Sequence, residues 1–195
     1  MRFELVPHPD GPPAGGASVV VNVHAYPDTV DIDYEISAAE PLVLAADTDR
    51  GVGGGLRREG LWRHTCGEIF ALDPQRPGPY LEFNFSPGGD WAAYAFDAPR
   101  RGMRAHDWGG APVIRCVLGT PDTEERVSSL QLHVSLPRPA FGPCLAVAPT
   151  MVIETREGLG YWARQHLAGP ADFHASLPTA ALRLVPANGK DRVLA

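Results

Sequence analysis

The chain has 195 residues, 44% hydrophobic and 21% charged, which suits one domain with a sizeable core. Its net charge of −6, with basic charge carried almost wholly by arginine, leaves no electrostatic footprint for nucleic acid, and no apolar window approaches a membrane span. Glycine (21) and proline (20) follow no fixed repeat, so a collagen-like chain is excluded; they punctuate short apolar runs, as many tight turns require.

Most of the chain has a hydrophobic period of two. Ala17 to Ala25 (ASVVVNVHA) is β-branched, and Thr29 to Ile36 (TVDIDYEI) alternates strictly, with Val30, Ile32, Tyr34 and Ile36 on one face and Asp31, Asp33 and Glu35 on the other. Tyr26-Pro27-Asp28 joins them as a hairpin. Residues 45–60 form a Gly/Asp/Arg loop whose Gly53-Gly54-Gly55 run points to mobility or to a close backbone approach, without the spacing of a phosphate cradle. Leu61 to Leu72 reads as one strand, and Tyr80 to Ser86 (YLEFNFS) and Trp91 to Phe96 (WAAYAF) as a second hairpin. Further strands are predicted at Pro112 to Leu118, Ser128 to Leu136, Leu145 to Thr155, Leu159 to Arg164 and Ala180 to Val185. Residues 97–111 and 165–179 read as loops, and no amphipathic helix stands out. The pattern predicts an all-β, antiparallel two-sheet β-sandwich with little helix, one domain over residues 1–185, and a polar tail at 186–195.

Cys66, Cys116 and Cys144 are an odd number, widely spaced and without a CxxC pair, so buried free thiols are expected and a thiolate zinc site is not. The N-terminal MRFELVPHP lacks the apolar run of a signal peptide, and a cytoplasmic location is the expectation.

The runs LWRHTCGEIF (61–70), YLEFNFSP (80–87), GDWAAY (89–94) and RGM (101–103), with YWA (161–163) and PADFH (170–174), resemble the bacterial DOMON-like proteins, which are similar to the family-9 carbohydrate-binding modules. The resemblance implies a β-sandwich with a ligand groove on one sheet, holding a sugar or, in other members of the superfamily, haem. In the sugar binders tryptophans clamp the ring while carboxylate, arginine and amide groups take its hydroxyls; Trp62 and Glu68 are similar to the clamp tryptophan and its carboxylate. The group usually carries an aromatic where this chain has Gly67, which implies a wider pocket or a bulge there.

On an undistorted strand Trp62, His64, Cys66 and Glu68 share one face, and a tryptophan platform beside a carboxylate suits sugar recognition. The competing reading makes Trp62 an inter-sheet core anchor and Glu68 an arginine partner. Glu82 and Asn84 share a face opposite Leu81, Phe83 and Phe85, so they face either solvent or a groove. One of the neighbours Tyr161 and Trp162 must face outward, which makes Trp162 a candidate second platform. The candidate ligand-binding set is therefore Trp62, His64, Glu68, Glu82, Asn84 and Trp162, with a small molecule, a sugar first, as partner and no cofactor. Three alternatives remain: haem held by Met103 with a histidine such as His106, His166 or His174; a glycoside hydrolase using Glu68 and Glu82; and an interaction domain with no small ligand. Asp172-Phe173-His174 reads as a structural turn and Arg100-Arg101 as solvated loop charge.

Overall fold

The computed structural model describes residues 1–11, 16–39, 41–44, 55–73, 76–107, 110–119, 129–137, 145–180 and 182–184. The predicted tail at 186–195, Cys144, Gly53 and Gly54 lie outside them.

The expected alternation builds strands β1 (Arg2–Pro7), β2 (Ser18–Ala25), β3 (Thr29–Ser37), β4 (Cys66–Leu72), β5 (Tyr80–Phe85), β6 (Trp91–Phe96) and β7 (Arg104–Ala105). After these come β8 (Val113–Gly119), β9 (Ser129–Pro137), β10 (Leu145–Thr155), β11 (Gly158–Ala163), helix α1 (Phe173–Ala180) and β12 (Leu182–Leu184). Every pairing is antiparallel, in the order β7-β6-β5-β4-β10-β11-β1-β2-β3-β9-β8, with β12 added to β10. The two layers expected from the sequence are thus leaves of one curled sheet. Strand β1 joins them: Arg2–Leu5 pair with β2, while Val6 and Pro7 pair with β11.

Between the leaves lies the main core. Val30, Ile32, Tyr34 and Ile36 of β3 and Leu130, Leu132, Val134 and Leu136 of β9 meet Ile69, Phe83, Phe85, Met151, Ile153 and Trp162 from the other leaf. Burying each such side chain stabilises by about 1.5–3 kcal/mol. Gly67 faces this core: a Cβ there would stand 3.1 Å from the Tyr34 ring and from Leu132 Cδ2. The aromatic missing at position 67 is supplied by Tyr34 from the opposite leaf, whose hydroxyl donates to the Glu68 carbonyl at 2.6 Å. The β4 register runs unbroken through Gly67, so neither a bulge nor a wider pocket forms. At Gly55 the backbone does approach closely, since a Cβ would overlap the Gly89 carbonyl.

Four elements differ from the sequence reading. The strand predicted from Leu61 begins at Cys66; left-handed Gly60 (φ 77°) and a 3₁₀ turn at Leu61–Arg63 precede it. The N-terminal segment forms β1, and β7 lies within residues 97–111. The 165–179 segment ends in α1, whose buried Phe173, Ser176 and Leu177 recur at helical spacing and whose first turn is capped by Asp172 Oδ1 accepting from the His174 N–H at 3.0 Å.

Candidate functional site

The leaf containing β4, β5, β6, β10 and β11 buries both faces. Away from the main core it presents Cys66, Glu68 and Phe70 (β4), Tyr80, Glu82 and Asn84 (β5), Tyr94 and Phe96 (β6), Thr150 and Val152 (β10), and Tyr161 (β11). The turn at Leu61–Arg63, the 100–103 segment and α1 lie over this face. Register places Glu68 opposite Asn84 on one side and Thr150 on the other, and Glu82 one step along, opposite Phe70. The two glutamates are therefore diagonal neighbours on adjacent strands.

A cavity of about 330 Å³ opens here. The sheet contributes Glu68, Glu82, Phe96, Val152 and Tyr161, and the covering segments contribute Trp62, Arg100, Met103, Phe173 and His174. Trp62 is half-buried and meets Tyr94 edge-on, with ring centroids 5.7 Å apart; Phe173 packs against Tyr161 at 5.9 Å.

Glu68 (3% exposed) and Glu82 (5%) are held by neutral donors: Thr150 Oγ1 donates to Glu68 Oε2 at 3.2 Å, and Asn84 Nδ2 to Glu82 Oε1 at 2.8 Å. Burial, then the charge of Glu82, pushes the Glu68 carboxyl well above the usual range, against the Thr150 bond. Burial also raises Glu82, against the Asn84 hydrogen bond and the Arg100 charge. Burial pushes the Cys66 thiol up as well, reinforced by Glu68.

The polar wall is a relay across three segments. The Arg100 N–H donates to the Tyr80 hydroxyl at 3.3 Å, and that hydroxyl lies 2.6 Å from His174 Nδ1. Because the hydroxyl already accepts from Arg100, donation of its proton to Nδ1 would leave the His174 proton on Nε2, 3.7 Å from Glu82 Oε2. Burial, then Arg100, pushes His174 down to about 4, so it is neutral at pH 7. Burial pushes Tyr80 up to about 12. Arg100 Nε is bound to Asp172 Oδ2 at 2.9 Å; burial alone would raise Asp172, but this guanidinium holds it below its usual range.

Of the candidate residues, Trp62, Glu68 and Glu82 come together in the cavity. Trp62 arrives from the 3₁₀ turn, so the even-spacing argument that linked it to Glu68 does not hold. Asn84 is fully buried beneath the cavity and acts on it through Glu82. His64 points elsewhere, its Nδ1 2.8 Å from Glu154 Oε2 near the surface. Trp162 is 1% exposed in the main core, because β11 alternation turns Tyr161 toward the cavity instead. Arg100 and Phe173 were not among the candidates, and Met103 and His174 entered only as possible haem ligands; only the chain path brings the 100–103 segment and α1 over the sheet. Tyr161 was half-visible, since one member of an adjacent aromatic pair had to face outward. Met103 shares the cavity with His174, whereas His106 lines a separate depression beside Arg104 and His166 bonds the Val6 carbonyl. Among the described residues, no group of three or more His, Cys, Asp or Glu side chains is arranged to hold a metal ion, and no helix is long and apolar enough to cross a membrane.

No family model and no curated protein matches the sequence. The fold does have solved counterparts. A protein from Bacteroides uniformis, provisionally described as carbohydrate-binding, is 17% identical, with 94% of this chain and 84% of that one covered at a TM-score of 0.62. A family-9 carbohydrate-binding module from Caldicellulosiruptor kristjanssonii in complex with cellotriose is 6% identical, covering 100% of this chain and 86% of that one (TM-score 0.59). A family-9 module from the same organism in complex with glucose gives 7%, 92% and 82% (TM-score 0.55). At these identities the likeness establishes a fold like that of the family-9 modules.

Proposed function

We propose that this chain binds a small carbohydrate in the cavity between the β4–β5 sheet face and its cover. The observation that carries the reading is a half-buried indole, Trp62, beside two buried carboxyls in a cavity at the small end of the ligand-pocket range of roughly 300–1,000 Å³. Stacking of a sugar ring needs the first, and fixed acceptors for vicinal hydroxyls need the second. The sugars bound by the family-9 modules of like fold support the same class of ligand. Two other depressions, of about 290 Å³ around Arg76 and Arg104 and about 540 Å³ around Asp33 and His133, contain no buried carboxyl.

Glu68 and Glu82 share one cleft, as hydrolysis would also require, but both are buried and held by neutral donors, which favours holding a ligand over cutting it. Haem fits the residues poorly: His174 Nδ1 is engaged by Tyr80, its Nε2 faces Glu82, and carboxyls line the cavity that an apolar macrocycle would fill.

Titration with a panel of mono- and oligosaccharides tests the reading through tryptophan fluorescence. We expect saturable quenching by at least one sugar, weakened at least about tenfold by Trp62→Ala and unchanged by His64→Ala. A panel with no response, or equal binding by the Trp62→Ala protein, would overturn it.

A further inference from the structure

Two carboxyl oxygens in the cavity are left without a donor. Thr150 occupies Glu68 Oε2 and Asn84 occupies Glu82 Oε1. Among the described residues nothing hydrogen-bonds Glu68 Oε1 or Glu82 Oε2, and His174 Nε2 at 3.7 Å lies beyond hydrogen-bond reach of the latter. Both residues line the cavity while being at least nine-tenths buried. Two carboxyls, Glu68 and Glu82, line the cavity with one guanidinium, Arg100, which Asp172 outside the lining already engages. The imidazole that could have answered them is held neutral by burial.

Around the free oxygens stand the rings of Trp62, Phe96, Tyr161 and Phe173. Aromatic faces with adjacent carboxylates are the surroundings that recognise an organic cation, because the ring quadrupole and the anions both attract it. A bare metal ion is a poorer guest, since no metal-holding cluster exists among the described residues. A neutral sugar hydroxyl would bond to these oxygens but would bring no charge to offset the cost of ionising the buried pair. An ammonium group brings three donors to two vacant acceptors, and its charge offsets that cost.

We infer that the guest of this cavity carries a protonated amine seated between Glu68 and Glu82, which makes an unacylated amino sugar the matching carbohydrate. The inference deepens the carbohydrate reading and shares its cavity, but the amine and the sugar ring can be tested apart. Two pairs of probes separate them by calorimetry at about pH 7, where both amines are largely protonated: glucosamine against glucose, and cyclohexylamine against cyclohexanol. We expect the amine of at least one pair to bind at least about tenfold more tightly than its neutral counterpart, and Glu82→Gln to shrink that ratio to about threefold or less. Binding of cyclohexylamine with neither sugar would uphold the amine and leave the carbohydrate reading to its own titration. Neutral partners binding as tightly as the amines in both pairs, or no amine binding at all, would overturn the inference and leave the carbohydrate reading to its own titration. If Glu82→Gln does not fold, Glu68→Gln gives the same comparison, and an amine preference unchanged in a folded variant also counts against the inference.

Discussion

Strands β3 and β5 carry the same pattern of alternating apolar and polar residues, yet their polar faces have opposite fates. On β3, Asp31, Asp33 and Glu35 face water in the company of β2 and β9: Ser135 donates to Asp31 at 2.7 Å, His133 meets Asp33 at 2.6 Å, and Asn22 donates to Glu35 at 3.2 Å. On β5, Glu82 and Asn84 are 5% and 0% exposed, with Glu68 of β4 beside them. The strands themselves do not make this difference; what lies over them does. Among the described residues the polar face of β3 carries neighbouring strands' side chains, whereas that of β5 is roofed by the 61–63 turn, the 100–103 segment and α1. Acidic groups that cost little in water become costly, proton-holding groups once covered.

Removing the roof should have the largest effect. Phe173→Ala deletes the ring that packs on Phe70 and Tyr161 and should lose about 3 kcal/mol in urea unfolding, together with ligand binding. A loss below about 1 kcal/mol would mean that α1 is not the cover described.

The covered carboxyls should also give stability a pH dependence that the open face lacks. Because burial raises the proton affinity of Glu68 in the folded chain, that chain holds more protons than the unfolded one above the ordinary glutamate range, so stability falls as pH rises from there. His174 has the opposite sign: lowered from 6.5 to about 4, it costs stability as pH falls through that window. Every other titrating group is common to the native chain and Glu68→Gln, so the difference between their pH responses isolates the Glu68 contribution. Urea melts at about pH 5 and about pH 7 should show the native chain losing more stability, or gaining less, than Glu68→Gln as pH rises. An identical pH response in the variant would remove Glu68 as a source.

The smallest effect belongs to the open face. Asp33→Asn breaks a pair whose side chains are 40% and 37% exposed, and its unfolding free energy should stay within about 1 kcal/mol of the native value at all salt concentrations. A larger loss would erase the contrast between the two faces.

Much of this was legible beforehand, and the failures have one cause. TVDIDYEI, YLEFNFS and WAAYAF announced β3, β5 and β6 because side-chain direction in a strand depends only on parity. Parity also placed Glu82 and Asn84 opposite the Phe83 core face, and it required one of Tyr161 and Trp162 to turn outward. It misled at Trp62, where Gly60 and the 3₁₀ turn interrupt the strand, and at His64, which leaves the turn facing Glu154. It was silent on Arg100, which reaches the cavity from a loop with no period to read, and on His174, which reaches it from helix α1.

What the sequence determined by itself was the all-β architecture and the sorting of strand residues onto two faces, because backbone geometry makes both local properties. Tertiary structure alone decided that Tyr34 fills the space beside Gly67, that Tyr161 and not Trp162 lines the cavity, and that Glu68 and Glu82 are buried together. Each of these depends on which distant segment arrives opposite. No strand carries a record of what will cover it.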